Sequence, residues 1–179
     1  VICAPSGTGK STLLERIKKD FPNLQWSISC TTRPIRTGET NGREYFFISK
    51  EIFEEKIKQD QFVEWAKVHS NYYGTSKEFV DLGLKQGKVL LFDLDVQGAD
   101  SIKRLYPNDS KVIFIEPPSI EELEKRLKHR GTDLIQVINE RINNAKKELA
   151  RKNDYDYLVM NDDVETAYLK LKEIIKNVF

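Results

Sequence analysis

A chain of 179 residues is long enough for one domain with a real core, and its 39% apolar and 32% charged residues set aside disordered and membrane-spanning classes. Lys plus Arg (29) nearly cancels Asp plus Glu (28), so no basic excess marks a nucleic-acid binder; any anion site must come from local clustering of arginines. Cys3 and Cys30 have neither metal-ligand nor disulfide-framework spacing, and no purely apolar run is longer than that of Val89 to Phe92, far too short for a bilayer. With no secretory leader in view, the expectation is a cytoplasmic protein that meets neither membrane nor nucleic acid. The chain opens at Val1 inside an apolar run, as if residues preceded it.

Val1 to Ala4 reads as a strand, followed by a glycine-rich loop and a helix from Lys10 to Asp20 with Leu13, Leu14 and Ile17 at helical spacing. Gln25 to Thr32 and Arg43 to Ile48 read as strands, and Ser49 caps a helix whose apolar face is Ile52, Phe53 and Ile57. Phe62 to His69 is strand-like, Tyr72-Tyr73-Gly74 suggests a turn, and the next helix runs to about Lys85 and stops at Gly87. Val89 to Asp93 and Val112 to Ile115 have the continuous apolar character of buried parallel strands. Ser119-Ile120-Glu121-Glu122 has the form of a capping box; helices follow to about Lys128 and from Leu134 to Lys152. Tyr157 to Met160 is a last strand and Val164 to Val178 a last amphipathic helix.

This alternation predicts an α/β fold, a parallel sheet flanked by helices, with several short strands and one helix between Ser29 and Ser76 forming a small α+β insertion. The expected division is a core over about 1–28, 77–118 and 153–179, the insertion over 29–76, and a helical segment over 119–152.

Ala4-Pro5-Ser6-Gly7-Thr8-Gly9-Lys10-Ser11 matches the P-loop pattern of the P-loop NTPase fold, except that alanine replaces the first glycine. Gly7 and Gly9 allow successive N–H groups to turn into an anion nest, and the helix starting near Lys10 aims its unpaired N–H groups at the same phosphates. Lys10 is expected to reach the β- and γ-phosphates and Ser11 to ligate Mg²⁺, with Thr12 completing the loop. Ala4 is tolerable where φ is negative; a left-handed conformation there would cost roughly 1–2 kcal/mol. Asp93 closes an apolar strand, as a Mg²⁺-holding carboxylate does in such folds, and Asp95, on the same strand face by the period of two, is better placed for the acceptor; a carboxylate at a strand end could instead cap the next helix.

The motifs that follow narrow the nucleotide. Ser29-Cys30-Thr31-Thr32-Arg33-Pro34-Ile35-Arg36-Thr37-Gly38-Glu39, then Gly42 and Tyr45, closely resembles the monophosphate-binding segment of guanylate kinases. Phe62-Val63-Glu64-Trp65-Ala66, Asn71-Tyr72-Tyr73-Gly74-Thr75, Asp93-Leu94-Asp95-Val96-Gln97-Gly98, Arg126, Arg130-Gly131-Thr132, Arg141 and Asn161-Asp162-Asp163 resemble the same family in the same order. One departure stands in the first of these: the family's proline immediately precedes the second arginine, whereas here Ile35 intervenes.

The resemblance implies an ATP:GMP phosphotransferase that also takes dGMP, with Mg²⁺ as cofactor and a place in purine nucleotide recycling. It implies that Arg33, Arg36, Tyr45 and Tyr73 clamp the GMP phosphate, with Ser29, Glu39, Asp95 and Gly98 beside it. Guanidinium forks match phosphate oxygens in pairs. Glu64 would read guanine N1–H and N2–H, and the Thr75 hydroxyl would read O6; adenine offers that carboxylate a bare N1, a mismatch that can discriminate by about 10⁴-fold. Arg126, Arg130 and Arg141 would close over the transferred group from a lid, and Asn161 would meet the donor's adenine. Two other functions compete: a guanylate-kinase-like module that binds phosphopeptides without catalysis, and a related P-loop kinase with another acceptor. Monomer and homodimer both remain open.

Overall fold

The computed structural model describes residues 1–68, 70–129 and 135–178. β1 (Ile2–Cys3) runs parallel to β8 (Ile113–Glu116), which pairs in turn with β9 (Tyr157–Met160). β2 (Gln25–Trp26) runs parallel to β7 (Leu90–Leu91). The Ile2 N–H donates to the Phe92 carbonyl at 2.8 Å and the Leu94 N–H to the Ile2 carbonyl at 3.2 Å. These bonds join both sets into one parallel array, β2-β7-β1-β8-β9.

Both faces of the array are covered, which is why β1, β7, β9 and residues 113–115 of β8 are continuously apolar. Ile113 and Ile115 of β8 face one core with Leu13, Leu14 and Ile17 of α1 (Lys10–Asp20) and Leu171 and Ile175 of α7 (Val164–Val178). Phe114, between them in sequence, faces the other side with Val96 and Ala99 of α4 (Val96–Leu105). Val80 of α3 (Lys77–Lys85) joins Phe92, Leu94 and Ile102 in a neighbouring cluster. No helix among the described residues is long and apolar enough to cross a membrane.

A second, mixed sheet is ordered β4-β3-β6-β5: Phe46–Phe47, Cys30–Thr31, Asn71–Ser76 and Phe62–Val68. α2 (Lys50–Lys58) packs on it through the fully buried Phe53, whose ring stacks on Phe62 and Tyr72 at centroid distances of 4.3 and 5.2 Å. α5 (Ile120–His129) and α6 (Ile135–Ala150) bury Leu123, Leu127, Ile138 and Ile142 against one another. A short 3-10 turn, Lys152–Asp154, leads from α6 to β9.

The structure corrects three local expectations. The segment from Gln25 to Thr32 is two strands in two sheets, because the Ser27 N–H still bonds the Leu91 carbonyl while Ser29 has already begun to pair with Phe46. Tyr72-Tyr73-Gly74 is no turn but the middle of β6. Gly74 marks a close approach: a Cβ there would stand 2.9 Å from the Glu64 carbonyl oxygen and 3.1 Å from the Phe53 ring. The strand at Asp93 does not continue to Asp95, which caps α4 by accepting from the Gly98 N–H at 2.8 Å. The expected contribution of Leu134 to α6 lies outside the described residues.

Candidate active site

The carboxyl ends of the parallel strands form one edge, where open α/β sheets bind ligands. Ala4 follows β1, Asp93 follows β7, Glu116 ends β8 and Asn161 follows β9. Pro5 to Thr8 form the turn out of β1, the Thr8 hydroxyl donating to the Pro5 carbonyl at 2.9 Å. Gly7 and Gly9 have φ of 93° and 89°, as an inward-facing set of N–H groups requires. Space demands glycine as well: a Cβ on Gly7 would lie 2.8 Å from Leu127 Cδ2. Ala4 has no positive φ, so its departure from the usual glycine carries no left-handed penalty.

A cleft of about 430 Å³ is lined by residues 4–11 together with Asp95, Gln97, Arg141, Asn144 and Glu148. Lys10 Nζ lies 2.6 Å from Asp93 Oδ1 and also donates to the Leu94 carbonyl, so the loop cation is held at the end of β7. Arg141 Nη1 donates to the Ser6 hydroxyl at 3.3 Å. Arg126 reaches behind the loop instead, with Nη1 3.1 Å from the Asn161 carbonyl and 3.5 Å from that of Thr8, and Nε bonded to Glu122. Arg130 lies outside the described residues. Asn161 is buried, its Nδ2 donating to the Thr8 carbonyl at 2.6 Å.

The sequence reading missed Glu148, which burial and then Asp95 push above the usual carboxylate range while Lys10 pulls it down. Its spacing from Arg141 and Asn144 along one helix face is the signal that could have found it.

On the mixed sheet, Arg33 and Glu39 form a two-pronged pair: Nη2 to Oε1 at 2.6 Å and Nη1 to Oε2 at 3.0 Å. Arg33 Nη1 also donates to the Pro34 carbonyl at 2.8 Å, so the backbone at the displaced proline helps hold the first arginine. Glu39 Oε2 accepts from the Arg36 N–H at 2.8 Å, across a turn in which Gly38 has φ 89°; the Arg36 residue is exposed. Arg33 foremost holds the Glu39 carboxyl below the usual range. The Arg33 guanidinium sits 5.5 Å above the Tyr45 ring, and Tyr45 meets Tyr73 edge-on at 5.8 Å. Arg33, Tyr45 and Tyr73 are thus brought together, with Glu39 as the counter-ion of Arg33, and Arg36 meets this group through its backbone N–H on Glu39. Ser29 contributes a backbone bond, its carbonyl accepting from the Phe46 N–H at 2.9 Å.

Glu64 and Thr75 are opposite one another in the β5–β6 register, and the Thr75 hydroxyl donates to Glu64 Oε1 at 2.6 Å. The register shifts between Phe62 and Glu64, a bulge of the kind that re-aims a side chain. Burial pushes the Glu64 carboxyl above its usual range; Thr75 opposes this and Asp95 adds to it. Gly98 lets α4 approach: a Cβ there would be 3.3 Å from Glu64 Cγ. A second cleft, about 310 Å³, runs between β5 and α4 and is lined by Glu64, Asp95, Gln97, Gly98, Ser101 and Arg104 among others. It shares Asp95 and Gln97 with the loop cleft, which makes the two neighbours. A more apolar cavity of about 260 Å³ lies at the opposite, amino ends of the strands, beside Lys88 and Ser110.

A glycine loop leading from a parallel strand into a helix, with an apolar strand's carboxylate on the loop lysine, defines a P-loop kinase fold. Comparison with known proteins narrows the class. A profile of the guanylate kinase family matches residues 1–178. The chain is 49% identical over 175 residues to a guanylate kinase of Rickettsia felis, covering 98% of this chain and 91% of that protein. With a guanylate kinase of Bdellovibrio bacteriovorus it shares 43% over 178 residues, covering 99% and 96%. The crystal structure of guanylate kinase from Anaplasma phagocytophilum superposes with a TM-score of 0.66 at 29% identity, over 98% of this chain and 82% of that one. The chain belongs to the guanylate kinase family and is a kinase.

Proposed function

We propose that the protein transfers the γ-phosphate of ATP to GMP, and to dGMP, in the cytoplasm, as a step of purine nucleotide recycling. A GMP phosphate oxygen attacks the γ-phosphorus, the bond to the β–γ bridging oxygen breaks, and ADP leaves with the electron pair. The attacking oxygen is already ionised at neutral pH, so positioning and charge neutralisation suffice and no side chain need act as a base. Glu64, which lines a cleft adjoining the phosphate loop and is held by the buried Thr75 hydroxyl, carries this reading. An ionised carboxylate accepts guanine N1–H and N2–H, and Thr75 can donate to O6 in place of Glu64. Asp95 and Gly98 border the same cleft.

Arg33, Arg36, Tyr45 and Tyr73 hold the acceptor's phosphate; Glu39 orients Arg33 for that task. The loop from Ala4 to Thr12 receives the donor, and Lys10 exchanges Asp93 for the β- and γ-phosphates. Ser11 and Asp93 are oxygen donors of the type Mg²⁺ takes, so the residues present fit that ion. Bound with the nucleotide, Mg²⁺ would supply neutralisation of phosphate charge. Arg126, Arg130 and Arg141 stabilise charge on the transferred group once residues 119–152 close over the core as a lid, with the acceptor-binding segment 29–76 closing from the other side. Lys10→Ala should lower GMP-dependent ADP formation by about a hundredfold or more, leaving GMP affinity unchanged. An unchanged rate in that variant would contradict the reading.

A further inference from the structure

Three bonds fix Asn161 behind the phosphate loop. Its N–H donates to the Glu116 carbonyl at 2.8 Å, its carbonyl accepts from Arg126 at 3.1 Å, and its Nδ2 donates to the Thr8 carbonyl at 2.6 Å. Asn161 is only 5% exposed and Thr8 1%. The same Nδ2 would lie 2.5 Å from a Cβ on Gly9, so the amide is laid directly against the loop's second glycine. In a trans peptide the C=O and the following N–H point in opposite directions. Holding the Thr8 carbonyl from behind therefore fixes the direction of the Gly9 N–H on the other side of that peptide. With φ positive at both Gly7 and Gly9, regular pairing does not set the loop's shape, and contacts such as this one must.

We infer that Asn161 is a positioning residue for the phosphate loop, acting through the Thr8–Gly9 peptide on any triphosphate donor, whatever base it carries. The inference rests on the donor-site reading above. It replaces the adenine contact implied by the family resemblance with a contact that is blind to the base.

The test titrates Mg²⁺-loaded ATP, CTP and inorganic tripolyphosphate into the full chain and into Asn161→Ala and Asn161→Asp, neither of which can donate to the Thr8 carbonyl. Tripolyphosphate affinity is expected to fall about tenfold in both variants, with ATP and CTP falling alongside it. Unchanged tripolyphosphate affinity would overturn the inference. If ATP alone weakened, Asn161 would be reading adenine; if only the melting temperature fell, its role would be structural. Should neither variant fold, the Asn161 side-chain amide resonance of the unaltered chain decides: it should move with tripolyphosphate and not with adenosine, and the reverse pattern overturns the proposal. An unaltered chain that binds none of the three probes would overturn the donor-site reading itself, and the inference with it, before any variant is compared.

Discussion

Burial raises the Glu64 carboxyl, whereas guanine needs it ionised. Because the folded chain holds this proton more tightly than the unfolded chain does, the stability it contributes is present below the ordinary carboxylate pKa and is lost as pH rises through the raised value. Above that raised value the substrate-free protein carries an ionised, partly desolvated carboxylate as a cost. Glu64→Gln should remove that cost. Its melting temperature should gain on the parent's as pH rises from about 4 to about 8; a constant offset across that range would contradict the assignment. Glu64→Ala should lower kcat/KM for GMP by about 10²-fold or more while leaving ATP affinity unchanged. Stability and acceptor choice thus pull in opposite directions at one side chain.

α2 shows a different kind of strain, confined to one backbone position. Asp60 has φ 52° and is the one non-glycine residue with positive φ among those described. The helix ends there in a Schellman arrangement, with the Gln61 N–H on the Lys56 carbonyl at 2.9 Å and the Asp60 N–H on that of Ile57 at 3.0 Å. Asp60 accepts from Lys77 at 2.6 Å, but that carboxylate is 89% exposed, so the pair contributes little. Asp60→Gly should accordingly stabilise the protein by about 0.5–1 kcal/mol, measured by denaturant midpoint; a loss of stability would show that the ion pair outweighs the backbone term.

At this scale most elements were legible in the sequence, because Ser49 and Ser119 accept from the N–H groups of Ile52 and Glu122 as their spacing predicts. Two errors have different physical origins. Gly74 looked like punctuation, yet it is required by Phe53 and Glu64, which chain distance hides. Asp95 continued a period of two on paper, while its side chain caps the helix that begins at the next residue. The phosphate loop is local and could be recognised from its own residues. The Asn161–Thr8 bond spans 153 positions, and nothing in either segment alone announces it.

Across the whole molecule, two of the groups proposed to meet phosphate are held by carboxylates before substrate arrives. Asp93 holds Lys10, and Glu39 holds Arg33. Such pairing keeps long cations in place without leaving them unneutralised, and a phosphate exchanges one anion for another. The loop cleft and the β5–α4 cleft share Asp95 and Gln97, so the start of α4 borders both. Closure of the mixed sheet and the α5–α6 pair over the core should reduce the radius of gyration when a non-hydrolysable ATP analogue and GMP are added together, as measured by small-angle scattering. The analogue with AMP should leave it unchanged. The most direct measurement is ADP formation from Mg²⁺-ATP with GMP, dGMP, AMP, UMP and CMP offered in turn. The account predicts turnover with GMP and dGMP, background with the other three, and a fall of about a hundredfold or more in Lys10→Ala. Equal turnover with AMP, or none with any acceptor, would contradict it.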